Sequence, residues 1–141
     1  MLVEEAFMFA TLRERSIDTV HDQVVGFVAQ RWAKAFVCKV TIKAELEEPW
    51  ADPNQLCDIV GWYVSSGGNT VEWMAEVETE ESLSDLQTVD KWNRAIKRGI
   101  PFYLLVPRGM KDRALKLSQD RSLPVSCIYE FTFINGVCHL L

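Results

Sequence analysis

The sequence predicts a single α/β domain over residues 1–141, with a mixed β-sheet flanked by helices. Its 141 residues are 48% hydrophobic and 25% charged, which is the profile of one compact domain with a sizeable core. Helical periodicity in the N-terminal part gives way to alternating stretches typical of strands. A later apolar run, PFYLLVP (Pro101–Pro107), follows an amphipathic helix, as expected for a strand buried on both faces of a parallel sheet.

The first predicted element is a long helix or a broken pair of helices. Ser16 is placed to cap its main part, in which apolar residues recur at helical spacing: Ile17, Val20, Val24, Phe27, Val28 and Trp32. Another turn or two precedes it at Val3, Ala6, Phe7 and Ala10. Alternation from Phe36 to Glu45 then predicts a strand with one wetter face, and two prolines predict a loop from Glu47 to Gln55.

Two further strands, Asp58–Ser65 and Thr70–Thr79, are predicted to form a hairpin about the turn Ser66–Asn69. Ser82, with Asp85 three residues later, is expected to cap the next helix in a pattern similar to a capping box. That helix carries apolar residues at helical spacing and ends before Gly99 and Pro101.

The segment Val71–Val106 is therefore predicted to be a strand, a crossover helix and a parallel strand. A further short helix follows, marked by Met110, Ala114 and Leu117. Val125–Phe133 is a predicted strand, and the turn at Asn135-Gly136 leads into a last strand, Val137–Leu141.

Charge is strongly segregated within the overall net charge of -5. Between Ala44 and Asp90 there are 12 acidic residues and no Lys or Arg, whereas Lys91 to Arg121 holds 9 basic residues. Such a pattern allows a basic face to dock phosphates beside an acidic cluster that binds metal. The alternative is two solvated faces of opposite sign.

Composition also excludes several classes of protein. No stretch approaches the ~18 consecutive apolar residues of a membrane span, and Glu4 and Glu5 stand where a secretory signal would be basic, so a cytoplasmic protein is expected. The sequence contains no CxxC pair, so it encodes neither a zinc knuckle nor a redox motif. The four cysteines are expected to be small buried hydrophobes: Cys38, Cys57, Cys127 and Cys138.

Carboxylates close the third predicted strand and open the second: Glu76, Glu78 and Asp58. A register that places Asp58 opposite Glu76 or Glu78 brings all three side chains to one face, because cross-strand partners point the same way. Such a register requires a three-residue loop or a bulge, since a two-residue turn at Gly67-Gly68 would point Asp58 to the other face.

Asp58 lies in CDIVG, and Glu76 and Glu78 lie in AEVET. Together with the predicted order of a helix, an antiparallel meander, a crossover helix and a parallel strand, these residues resemble the PD-(D/E)xK nuclease superfamily. The resemblance covers roughly Ile17 to Ile128. It implies a restriction endonuclease-like α-β-β-β-α-β core and a hydrolase that cleaves phosphodiester bonds. It also implies DNA as the partner and is compatible with a homodimer.

Three carboxylates on one face without a basic partner raise one another's pKa values and destabilise the fold, and a divalent cation removes this cost. Mg²⁺ (or Mn²⁺) prefers oxygen ligands and is commonly held by one or two carboxylates plus substrate phosphate. By the resemblance, the metal ligands are Asp58, Glu76 and the main-chain carbonyl of Val77.

The chain departs from the family at Glu78, where the family usually has a Lys that orients the attacking water; some restriction enzymes also carry Glu there. Gln87 and Lys91 share a face of the crossover helix that could lean toward the strand ends. We assign Glu78 as ligand or base and Lys91 as its charge partner. The missing Lys also supports an alternative, a non-catalytic relative that binds nucleic acid or a protein partner.

Other side chains have weaker claims. His21 and Asp22 either reach the metal or form a solvated pair, and the solvated pair is favoured. Glu80 and Glu81 are expected to begin a helix, where acidic groups meet its dipole favourably. Four tryptophans are expected in the core rather than stacked on bases: Trp50, Trp62, Trp73 and Trp92. Six basic residues are expected to contact phosphates as a group: Arg94, Lys97, Arg98, Arg108, Lys111 and Lys116. A purely structural role, with a solvated acidic strand end, is the third possibility.

Overall fold

A six-stranded mixed sheet lies between helices in this computed structural model, which describes residues 19–45 and 55–141. The predicted α/β class is confirmed. The helices and strands are α1 Thr19–Phe36, β1 Lys39–Ile42, β2 Ile59–Ser65, β3 Gly68–Val77, α2 Leu86–Ile96, β4 Phe102–Pro107, α3 Lys111–Asp120, β5 Cys127–Ile134 and β6 Val137–Leu140. Short 3-10 turns occupy Lys43–Glu45 and Ser82–Ser84.

The strands follow one another across the sheet in chain order. Strands β1, β2 and β3 form an antiparallel meander, β3, β4 and β5 run parallel, and β5 and β6 form the predicted C-terminal hairpin. Helix α2 makes the crossover from β3 to β4, and α3 makes the crossover from β4 to β5. The predicted unit of strand, crossover helix and parallel strand is therefore confirmed, and the carboxyl ends of β3 and β4 lie at the same edge of the sheet.

Two apolar layers hold the sheet between the helices, because successive strand residues point to opposite faces. On one face, α2 packs its fully buried Trp92 against a layer that includes Met74 and Leu104. On the other face, α1 packs Val24 and Trp32 against the remaining strand residues. The described tryptophans of the sheet and α2 are core residues as predicted, whereas Trp50 lies outside the described residues.

The first strand begins later than its alternating pattern suggests, at Lys39 instead of Phe36. Helix α1 continues to Phe36 because Trp32 and Phe36, four residues apart, stack edge to face with ring centroids 6.1 Å apart. The helix ends where Val37 adopts a left-handed conformation with a φ of 49° and Cys38 N donates to Ala33 O at 3.3 Å. The predicted strand is therefore present, but its predicted bounds were wrong, because it begins at Lys39 and ends at Ile42 before a 3-10 turn.

Replacing Val37 by glycine should stabilise the protein. A β-branched side chain disfavours the left-handed conformation, which glycine adopts freely, and Val37 is 89% exposed, so little packing is lost. We expect the free energy of unfolding in urea to rise by about 1 kcal/mol in Val37→Gly. Val64→Gly, within strand β2, should instead lower it by about 0.5–1 kcal/mol. Equal losses in both variants would contradict this account of Val37.

Helix α2 begins at Leu86 and is capped by Asp85, whose Oδ1 accepts a hydrogen bond from Gln87 N at 2.9 Å. Ser82 does not cap it, contrary to expectation, because its hydroxyl is bonded to Glu78 and Thr79 at the preceding 3-10 turn. Glu80 and Glu81 precede that turn and are exposed.

Several predictions fall on residues 1–18 and 46–54, outside the described residues. They are the capping role of Ser16, the earlier helical turns and most of the predicted loop from Glu47 to Gln55. Among the described cysteines, which are all free, Cys57 and Cys138 are buried as expected and the other two are partly buried. Across the described ranges, no helix is both long and apolar enough to cross a membrane.

Candidate metal centre

The hairpin of β2 and β3 has the register that the clustered carboxylates require. Ile59 pairs with Ala75, the pairing shifts at a bulge between Gly61 and Trp62, and Ser65 pairs with Gly68. A two-residue turn is therefore compatible with the register that the clustered carboxylates require, because the bulge shifts the strand pairing by one residue and compensates for the turn. A Cβ atom at Gly61 would collide with the Trp73 indole, so glycine is needed where the bulge begins.

Asp58 lies immediately before β2 and contacts the end of β3 through two hydrogen bonds. Its backbone N donates to Glu76 Oε1 at 2.9 Å, and its Oδ2 accepts from Val77 N at 2.9 Å. The structure thus brings Asp58 and Glu76 together, with the Val77 main chain between them. Glu76 is bonded to the Asp58 main chain, while the Asp58 carboxylate is bonded to Val77 N.

Glu76 is buried against the ammonium group of Lys91. Its side chain is only 1% exposed, and its Oε2 lies 2.9 Å from Lys91 Nζ. At this distance the Lys91 ammonium is the charged partner of the buried Oε2. Lys91 of α2 therefore reaches the strand end, as its helix face suggested, but its ion-pair partner is Glu76 and not Glu78, and Gln87 is exposed.

Glu78 occupies the same end of β3 and is also buried, with 2% exposure. Its N donates to Leu105 O at 2.8 Å, which extends the parallel pairing with β4. Its Oε2 accepts a hydrogen bond from Ser82 Oγ at 2.7 Å, and its Oε1 accepts from Trp92 Nε1 at 3.3 Å. The burial of Glu76 and Glu78 shows that the acidic strand end is not solvated, contrary to one of the expectations.

His21, in the first turn of α1, joins the site. Its Nε2 lies 3.1 Å from Asp58 Oδ2, and its Nδ1 lies 3.0 Å from Asp22 Oδ1. The favoured interpretation of a solvated pair was wrong for His21, because the first turn of α1 lies beside Asp58, at the start of β2. His21 precedes the core residues Val24 and Val28 by three and seven residues, so all three lie on the same face of α1. This spacing is the sequence signal that could have identified His21.

Two other polar contacts near the site were missed by sequence reasoning. Ser82 was read as a helix cap, but its hydroxyl fixes Glu78. Arg113 of α3 donates from Nη2 to Ser84 Oγ at 2.7 Å, at the 3-10 turn that follows β3. The Ser82 contact joins residues four apart around a turn that helical periodicity does not describe, and the Arg113 contact joins elements that are distant in the sequence.

The charges of the site are strongly coupled. Hydrogen bonding to Asp58, reinforced by Asp22, raises the pKa of His21 to about 9 against the opposing effect of burial. Burial alone would raise the pKa of Asp58, but the hydrogen bond and charge of His21 lower it below its usual value. Burial, followed by the Asp58 charge, raises the pKa of Glu76 to about 8.

The pKa values of Glu78 and Lys91 are shifted by the same surroundings. Burial raises the pKa of Glu78, although its bonds to Ser82 and Trp92 oppose the shift. Burial would lower the pKa of Lys91, but the neighbouring carboxylates, Glu76 first, raise it above its ordinary range. An imidazole with a carboxylate at each ring nitrogen donates from both nitrogens, so His21 is an imidazolium ion at neutral pH.

Without metal, stability should decrease as pH rises. His21 and Glu76 both have folded-state pKa values above their unfolded values, so their stabilisation is complete below the unfolded pKa and disappears as pH passes the folded one. The windows are about pH 6.5–9 for His21 and 4.5–8 for Glu76. Urea unfolding from pH 6 to 9 should show this decrease, and His21→Gln should flatten it between pH 8 and 9. An unchanged slope in His21→Gln would contradict the assignment.

A cleft of about 420 Å³ opens beside these groups. Its lining is polar and includes both basic side chains, His21 and Lys91, and acidic ones, Asp22 and Glu78. Val77, Thr79 and Ser82 complete the lining. The cleft gives solvent and ligands access to the end of β3. Glu76 and Asp58 are not part of this lining, but their partners Lys91 and His21 are.

The donor set suits a hard cation. Glu76 Oε1 accepts from Asp58 N, Asp58 Oδ2 accepts from Val77 N, and Glu76 Oε2 lies 2.9 Å from Lys91 Nζ, so two carboxylate side chains lie close to this end of β3. Within the part of the chain that the structure describes, no three His, Cys, Asp or Glu side chains form a ready cage for a metal. Mg²⁺ is usually held by one or two carboxylates with water and substrate phosphate, so such a cage is not required.

The six basic residues predicted to contact phosphates do not lie together, although all are exposed. Arg108 and Lys111 follow the carboxyl end of β4, at the same edge of the sheet as the carboxylates. Three others lie at the opposite edge, about 20 Å away along β4, at the end of α2: Arg94, Lys97 and Arg98. Lys116 lies within α3.

Known proteins give no further guide to this site. Comparison of the chain with protein-family models, with curated proteins and with solved structures gives no match. The function must therefore be inferred from the residues and their geometry.

Proposed function

We propose that the protein is a Mg²⁺- or Mn²⁺-dependent nuclease, a hydrolase that cleaves phosphodiester bonds in DNA. The observation that carries the proposal is the direct hydrogen bond from Asp58 N to Glu76 Oε1, with the Lys91 ammonium 2.9 Å from Glu76 Oε2. The Glu76 carboxylate thus meets the Asp58 main chain and the Lys91 ammonium, and Lys91 lines an open cleft. The resemblance to the PD-(D/E)xK nucleases remains part of the proposal.

Asp58, Glu76 and the carbonyl of Val77 would hold the cation. When bound, it would activate a water molecule and neutralise charge on the phosphate. Lys91 Nζ can stabilise negative charge at the same place. Glu78, whose pKa is raised mainly by burial, can accept a proton at the cleft, and Ser82 fixes its orientation.

DNA would lie along the edge of the sheet that carries the site. Arg108 and Lys111 are exposed there, and Arg113 lies at the neighbouring 3-10 turn. These side chains offer phosphate contacts that position a backbone without reading its sequence. We also propose a cytoplasmic location, from the composition of the chain.

A non-catalytic module of the same fold, which binds nucleic acid or a protein, is the second candidate. It is supported by the protein partners that the charged groups already have. Asp58 contacts His21, Glu76 contacts Lys91, and Glu78 is bonded to Ser82 and Trp92. A site with its charges balanced in this way can be stable without a cation.

A cleavage assay separates the two candidates. We expect the purified protein to cut labelled duplex, single-stranded or branched DNA when Mg²⁺ or Mn²⁺ is supplied, and to stop when the cation is chelated. Glu76→Ala is the background control. DNA binding without cleavage above that background would favour the non-catalytic module and contradict the nuclease.

A further inference from the structure

A patch of exposed apolar side chains lies at the end of the sheet farthest from Asp58. Phe36 and Val37 end helix α1, and Tyr63 and Val64 belong to the outer half of β2. These four are 56%, 89%, 59% and 57% exposed. They border a groove of about 530 Å³, which we call the hairpin groove. Clustered apolar side chains of this kind mark sites of protein association.

The backbone beside this groove is also open. Pairing between β1 and β2 stops at Lys39 and Trp62, so in the described ranges Tyr63–Ser65 pairs only with β3. The outer half of β2 therefore presents unpaired N–H and C=O groups, to which another chain can pair. Val37 adds a strained left-handed conformation at the rim of the groove, a feature that is retained most often where it serves a function.

The hairpin groove carries one charge of each sign. Lys39 and Glu72 both line it, and neither has an ion-pair partner among residues 19–45 and 55–141. A surface with one positive and one negative group is complementary to itself under two-fold rotation. Lys39 of one copy then faces Glu72 of the other, and the reverse pair forms at the same time.

We propose that the hairpin groove is the interface of a homodimer, in which a second copy of this chain covers the exposed apolar side chains. The inference does not depend on the proposed nuclease activity, because the groove and the carboxylate site lie at opposite ends of β2. Charge complementarity, an open strand edge and an apolar patch occur together at this groove.

Sedimentation velocity over a range of protein concentrations tests the interface. The wild type should show a reversible monomer–dimer equilibrium. Tyr63→Lys should raise the dimer dissociation constant about tenfold or more, since buried tyrosines dominate many interfaces. Leu115→Lys, at an exposed apolar residue of α3, is the matched control and should leave the equilibrium unchanged.

Exchanging the charges of Lys39 and Glu72 tests whether the hairpin groove itself forms the interface. Lys39→Glu and Glu72→Lys should each weaken the dimer when alone, because like charges then face each other. Mixing these two variants, or combining both substitutions in one chain, should restore it. Val37→Gly should weaken the dimer while its melting temperature at low concentration rises by a few degrees, so unfolding cannot explain the loss.

A protein that is monomeric at every concentration would overturn the proposal. A dimer that is insensitive to these variants would place the interface elsewhere and would overturn it as well. Cleavage of DNA by a monomer would leave the proposed function intact while rejecting this interface.

Discussion

Glu76→Gln should reduce metal-dependent DNA cleavage by at least a hundredfold. The substitution keeps the size of the side chain but removes a carboxylate that would hold the cation, whose charge stabilisation is worth several kcal/mol in the transition state. Rates should be compared with saturating substrate and a series of Mn²⁺ concentrations. Extra Mn²⁺ should recover only part of the activity.

Glu72→Gln is the matched control for this substitution. Glu72 lies four residues earlier on β3, is exposed and carries the same charge, so its loss tests a general change in electrostatics. We expect its cleavage rate to stay within about twofold of wild type. Similar rates in Glu76→Gln and wild type, with both proteins folded, would remove Glu76 from the mechanism.

Lys91→Met should destabilise the metal-free protein by about 2 kcal/mol at pH 8. Removing one partner of a buried ion pair costs about 3–5 kcal/mol, and we reduce this figure because the Lys91 side chain is 38% exposed. The loss should shrink as pH falls below about 8, where Glu76 becomes protonated. Urea unfolding at several pH values measures it.

Mn²⁺ provides a second readout for the same variant. If the carboxylates form a cation site, the metal should replace the lost ammonium charge, and saturating Mn²⁺ should raise the stability of Lys91→Met more than that of wild type. Lys97→Met, on an exposed residue beyond the end of α2, should change neither quantity. Destabilisation that is equal at all pH values and indifferent to Mn²⁺ would contradict this role of Lys91.

The elements of the fold were largely predictable, but their ends were not. Alternation and turn residues identified the hairpin of β2 and β3, because side chains on a half-buried strand repeat every two residues. The start of β1 was missed because Trp32 stacks on Phe36 and prolongs α1. The cap of α2 was missed because Glu78 recruits the Ser82 hydroxyl. Both ends depend on side-chain contacts between residues four apart, which the patterns of alternation and capping did not reveal.

The same distinction applies to the site. The contact of Asp58 with Glu76 followed from strand register, and Lys91 followed from the helix face opposite the strand ends. His21 required knowledge of how α1 crosses the sheet. The basic segment was expected to act as one group, but α2 and β4 run in opposite directions, so Arg98 and Arg108 lie at opposite edges of the sheet.

Calorimetric titration with Mn²⁺ tests the central claim most directly, because it asks whether the buried carboxylates bind a cation at all. The account predicts one saturable site per chain in the wild type and its loss in Asp58→Asn, with both proteins folded. Heats no larger than those of dilution, or equal binding by Asp58→Asn, would contradict it.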